Sequence, residues 1–475
     1  MKIGKGTYSK VYKQQDKAIK KYKNKNNDGI PSDMIREVST LVKINSPYII
    51  SILKADFNYI ILPLYEADLT QYLKLGKRVN IKNFMYSVFS GIHALHSLGI
   101  VHRDIKPSNI LVKNENCGVL IDLGFSKNLE CDRRFGEKSL EIITSWYRPP
   151  EIIDGRKSYS FEVDVWSAGC ILAELHLEKN LFNLQSNLEI LDLQCYILGT
   201  PFDYFKNIKT KNYKGVFYET FEKYGDDFCK LLNGMLKINH KERFSIAQCL
   251  NSDYFNNTWI LQENLEIYKN YLQMFFLNIK IDDKEIIRMR QILVLWILET
   301  CTRHDSTYFR SVLILDKFIS KNKTLQINKS NFQLVGMACI WIASKIESIM
   351  SLTKKEIIYS SDDSFTSEEL EKMEKIILIE LQFDLMTPIL SNYLPLYSNE
   401  LQLNNYNINL FNKYLHICSI FPEIYKYKFS DIAIICGQLS LNKKIDTNET
   451  LSNDILKWIE LSKDFEAIND KFKNK

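Results

Sequence analysis

Hydrophobic and polar positions follow different patterns in the two halves of the chain. Residues 1 to about 65 contain short runs rich in β-branched and aromatic residues, such as N-Y-I-I-L-P-L-Y at 58–65, which predict β-strands. Over 80–254 the apolar spacing is mostly helical, with a loop-rich interruption at 102–151. From Glu263 onward the strand pattern almost disappears. The pattern therefore predicts an α+β half followed by an all-α half.

One predicted helix in the second half is apolar on nearly every side. It is F-Q-L-V-G-M-A-C-I-W-I-A-S-K, residues 332–345, and such a helix is normally central in a bundle. Its longest apolar run, 335–343, is far shorter than the roughly 18 residues that a membrane span needs. We therefore expect no membrane association. From the change of pattern along the chain, we place the boundary between the two halves near 251–258.

Length, charge and cysteine usage narrow the class of protein. A chain of 475 residues is too long for one core, so we expect two or three domains. The net charge of +5 is mild for this length and does not indicate nucleic-acid binding. The 10 cysteines are scattered, without a C-x-x-C pair, and the N-terminus lacks an apolar signal segment. These features favour a reducing compartment, the cytoplasm and/or the nucleus, over secretion.

A glycine-rich turn lies between the first two predicted strands. It is G-K-G-T-Y-S-K-V, residues 4–11, in which Gly4 and Gly6 let backbone N–H groups approach phosphate oxygens. Ser9 stands where a third glycine would complete the pattern. Taken alone, the turn is better interpreted as a plain hairpin.

Charged and amide side chains follow this turn in a fixed order. The set consists of Lys20 in A-I-K, Glu37 on a predicted helix, Asp104, Lys106 and Asn109 in H-R-D-I-K-P-S-N, and Asp122 in D-L-G. An ammonium can hold phosphates, a carboxylate can fix that ammonium, and amide and carboxylate oxygens can bind Mg²⁺. A further carboxylate, Asp104, can orient a hydroxyl and accept its proton. Residue types and order together are the signature of protein kinases.

Three further motifs resemble those of the cyclin-dependent kinases, a Ser/Thr family. They are P-S-D-M-I-R-E at 31–37, T-S-W-Y-R-P-P-E at 144–151 and L-G-T-P at 198–201. The resemblance covers residues 1 to about 255. It implies a bilobal kinase fold, ATP and Mg²⁺ as cofactors, and transfer of the ATP γ-phosphate to Ser/Thr-Pro sites of protein substrates.

The resemblance also assigns binding residues. Leu62 would be the gatekeeper, Pro63 and Tyr65 the adenine hinge, and Asp68 the ribose contact. The remaining ATP-binding residues would be Ile3, Gly4, Gly6, Val11, Ala18, Lys20 and Leu111. The surface that accepts proline after the target residue would consist of Ile142, Ile143 and Arg148.

Regulatory residues are implied in the same way. Ser139 takes the place of the activating phosphosite, and Arg36, Arg103 and Lys127 take the places of its basic ligands. Thr7 and Tyr8 take the places of the inhibitory phosphosites. The alternative for each of these three phosphosites is an unmodified polar loop residue.

The second half resembles a cyclin. M-R-Q-I-L-V-L-W at 289–296 and the apolar helix at 332–347 look like parts of a cyclin box, and 413–439 looks like a weaker second repeat. Lys345 and Glu374 would then bind the kinase helix, with Ile30, Met34 and Ile35 as its docking residues. A possible substrate-docking patch, for which a core interpretation is nearly as good, consists of Met289, Ile292, Leu293 and Trp296.

The predicted organisation is therefore a kinase fold followed by an all-α cyclin fold of two repeats. We predict a kinase domain over 1–258, with its N-lobe at about 1–65 and its C-lobe at about 66–258. A cyclin box over 263–387 and a second, cyclin-like repeat over 388–475 follow it.

The function this organisation implies is a kinase that carries its own activating cyclin, in cell-cycle control. About eight residues between the two domains reach at most about 28 Å, so docking in cis or in trans stays open. The alternatives are an inactive or decoy scaffold whose cyclin half binds another kinase, and a kinase directed to transcription.

Overall fold

The compact units of the protein do not follow the order of its sequence. The first unit comprises Met1–Lys21 and Arg36–Tyr268, and the second comprises Tyr22–Ile35 and Lys269–Lys475. The computed structural model describes residues 1–5, 9–24, 28–128, 144–156, 160–201, 203–255, 264–301, 305–348, 351–442 and 449–464. A short segment from the first half of the chain therefore belongs to the mainly C-terminal unit.

The first unit begins with a five-stranded sheet in the order β1-β2-β3-β5-β4. Its strands are β1 (Lys2–Lys5), β2 (Ser9–Gln14), β3 (Lys17–Tyr22), β4 (Lys54–Ala55) and β5 (Tyr59–Pro63). In the antiparallel β3–β5 pair, Ala18 lies opposite Leu62 and Lys20 opposite Ile60. Because side chains alternate along a strand, Ala18 and Lys20 share the buried face of β3.

Helix α1 (Ser32–Lys43) separates β3 from β4. Pro31 precedes its first turn, Asp33 lies in that turn and Lys43 in the last, which suits the helix dipole. Every residue from Met34 to Leu41 is buried. The division between the two units falls between Ile35 and Arg36, so α1 begins in the second unit and ends in the first.

The rest of the first unit is mainly helical. Its helices are α2 (Leu69–Lys74), α3 (Ile81–His96), α4 (Pro150–Ile153), α5 (Glu162–Leu177), α6 (Asn187–Leu198), α7 (Phe217–Phe221), α8 (Asp226–Met235) and α9 (Ile246–Leu250). Two antiparallel ribbons accompany them, β6 (Ile100–Val101) with β9 (Lys127–Asn128) and β7 (Ile110–Asn114) with β8 (Cys117–Leu120). The segment between β6 and β7 holds Asp104, Lys106 and Asn109, and the segment between β8 and β9 holds Asp122.

The second unit is helical in its described C-terminal part, where no strand occurs from residue 264 on. Helix α10 (Asn264–Met274) begins in the first unit and ends in the second. The first repeat of the second unit further contains α11 (Lys284–Thr300), α12 (Asp305–Lys321), α13 (Phe332–Glu347), α14 (Lys354–Tyr359) and α15 (Ser367–Glu380). Its second repeat contains α16 (Tyr393–Glu400), α17 (Asn405–Ile420), α18 (Phe429–Ser440) and α19 (Glu449–Leu461). Helix α13 packs on α11, α12 and α15 and is buried from Val335 to Glu347. The predicted order, α+β and then all-α, is confirmed.

A buried arginine joins the two helical repeats. The Arg290 guanidinium on α11 donates to both carboxylate oxygens of Asp316, over 2.6 and 2.7 Å. It also donates to the carbonyl oxygens of Ser419 and Ile420 at the end of α17. Tyr425 donates its hydroxyl proton to the same Asp316 carboxylate over 2.6 Å.

Among the described residues, no helix is both long and apolar enough to cross a membrane.

Replacing Arg290 by alanine tests this connection. The change leaves Asp316 buried without its cation, so we expect the free energy of unfolding of the second unit to fall by about 3–5 kcal/mol. Denaturant unfolding, monitored by hydrogen exchange of the backbone amides of α11 and α17, measures the loss in the free energy of unfolding. Arg288→Ala is the control, because Arg288 is exposed on the same helix. Equal effects of the two changes would contradict a connecting role for Arg290.

Candidate functional site

The ammonium of Lys20 lies between two carboxylates. Its Nζ is 2.6 Å from Oε2 of Glu37 on α1 and 2.8 Å from Oδ1 of Asp122. Burial alone would lower the pKa of Lys20, but the two carboxylates outweigh it and raise this pKa above its ordinary value. Lys20 therefore stays a cation and connects the sheet, helix α1 and the segment between β8 and β9.

The backbone of Asp122 has an uncommon conformation that the surrounding structure must stabilise. Its φ of 65° and ψ of 65° lie in the left-handed region, which few non-glycine residues adopt. Burial would raise the pKa of its carboxyl, but Lys20 holds this pKa below its ordinary value. The Asp122 carboxylate is therefore ionised at neutral pH, as its predicted role as a Mg²⁺ ligand requires.

A hydrogen-bond network holds the carboxylate of Asp104. Its Oδ2 accepts from Lys106 Nζ over 2.7 Å and from Asn109 Nδ2 over 2.9 Å. Its Oδ1 accepts from Thr144 Oγ1 over 3.0 Å, and Lys106 also donates to Thr144. Sequence reasoning missed Thr144, although the T-S-W-Y motif that contains it was the available signal.

The amide of Asn109 is oriented by this network. Its nitrogen donates to the carbonyl and to the carboxylate of Asp104, which leaves the amide oxygen as the atom for a cation. The N–H of Ile121 donates to the carbonyl oxygen of Asn109 over 3.0 Å. Because Ile121 precedes Asp122, this bond brings the two predicted Mg²⁺ ligands into neighbouring backbone positions. The donor set, an amide oxygen and a carboxylate, suits Mg²⁺.

A second missed residue, Asp164 on α5, supports the segment before Asp104. Its carboxylate accepts the backbone N–H groups of His102 and Arg103, each over 2.8 Å, and contacts His96 Nε2 at 2.8 Å. Burial would raise the pKa of Asp164, but these partners hold it below its ordinary value. Asp164 lies in the D-V-W-S-A-G motif, from which this role could have been inferred.

The described residues of the predicted adenine and ribose site lie on β1, β2, β3, β5 and β7 and around the start of α2. Ala18 and Leu62 are buried, whereas Ile3 is exposed. Asp68 and Leu111 form a β-bridge, which places the predicted ribose contact beside a predicted adenine contact. Asp68 also accepts the N–H of Gln71 as the N-cap of α2. Gly6 lies outside the described residues.

The predicted phosphate ligands Arg36 and Arg103 both bond to the chain after Asp122. Arg36 Nε donates to the Gly124 carbonyl and Arg103 Nε to the Phe125 carbonyl, each over 2.7 Å. Lys127, the third predicted ligand, lies on β9.

Several predicted residues fall outside the described part of the chain. They are the activating phosphosite Ser139, the inhibitory phosphosites Thr7 and Tyr8, and two residues of the proline site, Ile142 and Ile143. The remaining residue of the proline site, Arg148, is buried and donates to Oδ1 of Asn187 over 2.9 Å.

Within the second unit, the predicted interface residues Lys345 and Glu374 hold the segment before α1. Lys345 Nζ donates to the Asp28 carbonyl over 3.0 Å, and the Ile30 N–H donates to Glu374 Oε2 over 3.0 Å. Lys345 and Glu374 are themselves 2.5 Å apart. Ile30 is buried, as are Met34 and Ile35, the two other predicted docking residues.

Four residues at this contact were not predicted: Asp28, Gly29, Trp341 and Lys354. The Asp28 carboxylate accepts the N–H of Lys354 over 3.1 Å, and the Trp341 ring lies 3.5 Å below Lys345 Nζ. Gly29 has φ +63° and touches Glu374 and Trp341, so a Cβ there would lie 2.5 Å from the Trp341 ring. Burial lowers the pKa of Lys345 and raises that of Glu374, while their mutual attraction opposes both shifts.

The possible docking patch on α11 is only partly exposed. Ile292 is 63% exposed, Met289 and Trp296 are half-buried, and Leu293 is buried against Gly336. Leu293 therefore belongs to the core, as the second of the two interpretations had it. Binding of a substrate by the exposed part of this helix stays a prediction.

Comparisons with known proteins agree with this geometry. The model of the protein kinase domain matches residues 1–255, and that of the cyclin N-terminal domain matches residues 258–386. Cyclin-dependent kinase 7 of Xenopus laevis is 33% identical over 286 residues, which are 54% of this chain and 80% of the relative. Cyclin-dependent kinase 1 of Encephalitozoon cuniculi is 32% identical over 289 residues, 55% of this chain and 97% of the relative.

A solved structure is also similar, that of the yeast RNA Pol II CTD kinase CTDK-1 complex. It is 26% identical and covers 55% of this chain and 93% of its own, with a TM-score of 0.48. A score at this level adds nothing to the family assignment.

The role of Asp164 predicts a pH dependence. Asp164→Asn replaces an acceptor by an amide, so we expect the free energy of unfolding of the first unit to fall by about 3 kcal/mol at pH 7. The folded-state pKa of Asp164 lies below its ordinary value of 3.8, so this contribution is complete above that pH. The difference between parent and variant should therefore be constant from pH 7 to 5 and shrink as the pH falls below 3.8.

Urea unfolding at several pH values measures this difference. Asp253→Asn is the control, because Asp253 is exposed in the same unit. A difference that does not change with pH down to pH 3 would contradict the assigned carboxylate role.

Proposed function

The chain belongs to the protein kinase family, as a Ser/Thr kinase of cyclin-dependent type with a cyclin domain in the same chain, and we propose that this cyclin domain activates its own kinase domain in cis. The main observation in support is the pair of hydrogen bonds that Lys345 and Glu374 make with Asp28 and Ile30. These bonds hold the segment that leads directly into α1, the helix of Glu37.

Activation then consists of a shift in the position of α1. If α1 can occupy an inward and an outward position, a partner that binds only the inward one increases the population of that position. The size of the increase is set by the difference in the partner's affinity for the two positions. Glu37 bonds to Lys20 in the inward position. Fusion of the activator to the kinase raises its effective concentration, often to millimolar values.

The proposed chemistry is phosphoryl transfer from ATP. Asn109 and Asp122 would hold Mg²⁺, which neutralises phosphate charge, and Lys20 would contact the α- and β-phosphates. Asp104 would orient the substrate hydroxyl and accept its proton. Lys106, which already bonds to Asp104 and Thr144, would reach the γ-phosphate. The intact set of these side chains favours an active enzyme over an inactive scaffold.

We further propose Ser/Thr-Pro sites as substrates and a role in cell-cycle control. The support for proline specificity is the T-S-W-Y-R-P-P-E motif, whose Arg148 is buried with its guanidinium fixed on Asn187. The support for the cell-cycle role is the P-S-D-M-I-R-E helix together with the cyclin-like half. A role in transcription is the competing proposal.

Phosphorylation of a peptide tests the enzyme directly. We expect the purified chain, without added cyclin, to transfer the γ-phosphate of radiolabelled ATP to a Ser-Pro peptide at least about tenfold better than to the matched Ser-Ala peptide. The Asp104→Asn variant removes the proton acceptor and should lose nearly all of this activity. Equal activity of the parent and this variant, including no activity in either, would contradict the proposal.

A complementation experiment tests activation in cis. Glu374→Ala leaves Lys345 buried without its anion, so we expect kcat/KM to fall by about tenfold or more. Glu368→Ala is the control, because Glu368 is exposed on the same helix. Mixing the Glu374→Ala chain with the Asp104→Asn chain, whose cyclin half is intact, should then restore nothing.

Recovered activity in that mixture would show that the cyclin half of one chain serves another. It would therefore contradict the cis arrangement while leaving the kinase assignment intact. A dependence of specific activity on protein concentration in the parent chain would point to the same conclusion.

A further inference from the structure

Helix α1 is bonded to the segment after Asp122 at two points one helical turn apart. Arg36 Nε donates to the Gly124 carbonyl over 2.7 Å, and Thr40 Oγ1 lies 2.9 Å from Ser126 Oγ. Residues four apart lie on the same face of a helix, so both contacts come from one side of α1. Glu37, which bonds to Lys20, lies between them in the sequence.

The direction of the hydroxyl bond follows from its neighbours. Ser126 Oγ is 2.7 Å from the carbonyl oxygen of Leu123, an acceptor, so the single proton of Ser126 is used there. Thr40 must therefore donate to Ser126. The order is Thr40 to Ser126 to the Leu123 carbonyl, and Leu123 directly follows Asp122.

Both hydroxyls are fully buried, with 0% exposure of Thr40 and of Ser126. Burying hydroxyls costs free energy unless they are bonded, and two apolar side chains of similar shape could fill the same space without that cost. Unlike apolar contact, however, a hydrogen bond fixes distance and angle. The pair therefore suits positioning better than simple packing.

Three consecutive carbonyls after Asp122 are each held. Ser126 holds that of Leu123, Arg36 that of Gly124 and Arg103 that of Phe125. The backbone of Asp122 itself is left-handed, which its surroundings must maintain. A shift of α1 would therefore move the segment that sets the direction of the Asp122 carboxylate.

We propose that Thr40 and Ser126, the hydroxyl pair, are positioning residues that couple the place of α1 to the Mg²⁺-binding carboxylate of Asp122. The inference rests on the assignment of Asp122 to Mg²⁺ in the proposed function. Through this pair, the contact that places Glu37 on Lys20 also places the metal ligand, so both requirements for ATP binding are met together.

The test uses the full-length chain with Thr40→Val and Thr40→Ser. Valine keeps the shape of threonine without the donor, and serine keeps the donor. The readout is the Mg²⁺ concentration that half-maximally strengthens binding of a non-hydrolysable ATP analogue. We expect Thr40→Val to raise it by about threefold to tenfold, the effect of one lost hydrogen bond, and Thr40→Ser to stay close to the parent.

Ser87→Ala is the matched control. Ser87 is a buried hydroxyl in the same unit that donates to the Phe84 carbonyl and accepts the Gly118 N–H. It should lower the thermal midpoint to a similar degree as Thr40→Val but leave the Mg²⁺ response unchanged. A Thr40→Val chain with the same Mg²⁺ response as the parent would overturn the inference.

The double variant tests the coupling. If the two hydroxyls act together, Thr40→Val combined with Ser126→Ala should raise the Mg²⁺ requirement no more than the worse single variant. Additive effects would overturn the inference. A parent chain whose nucleotide binding does not respond to Mg²⁺ at all would overturn the proposed function as well, so the two failures are distinguishable.

Discussion

The ion pair between Lys20 and Glu37 is the interaction on which the site depends. An ammonium buried in a sheet is costly unless anions compensate it, and Lys20 has two, Glu37 and Asp122, at 2.6 and 2.8 Å. One anion comes from a helix and the other from a loop. Both carboxylates reach the cation when both elements are in place, which ties the predicted ATP-binding residues to the position of α1.

The position of α1 depends in turn on the burial of its side chains. A surface helix exposes one face, whereas every residue from Met34 to Leu41 is buried. The first residues of α1 belong to the second unit, together with the segment before it that Lys345 and Glu374 hold. The apolar residues of the P-S-D-M-I-R-E segment thus have an explanation: they are core positions supplied by a helix that two units share.

The sequence predicted the charged site residues because phosphoryl transfer permits few residue types, in a fixed order. Lys20, Glu37, Asp104, Asn109 and Asp122 do come together in the first unit. What sequence reasoning missed depends on tertiary proximity. Asp164 bonds to backbone about 60 residues away, and Thr40 meets Ser126 86 residues later. Serine and threonine are common and have many roles, so no local pattern distinguishes this pair. Linear domain boundaries likewise could not separate residues 22–35 from their neighbours.

The buried charges of the second unit restrict which arrangements of its helices are possible, in addition to any effect on stability. Arg290, Arg310, Lys317 and Lys345 are all buried, and each is paired with a carboxylate. Buried ion pairs contribute little more than well-packed apolar residues would, but an unpaired buried charge is strongly unfavourable. Each pair therefore excludes arrangements that separate its partners. Arg290 does this between the two repeats, and Lys345 does it where Asp28 and Ile30 are bound. The Lys345–Glu374 pair thus favours one arrangement of the residues that hold the segment before α1, and the Lys20–Glu37 pair favours one position of α1 itself.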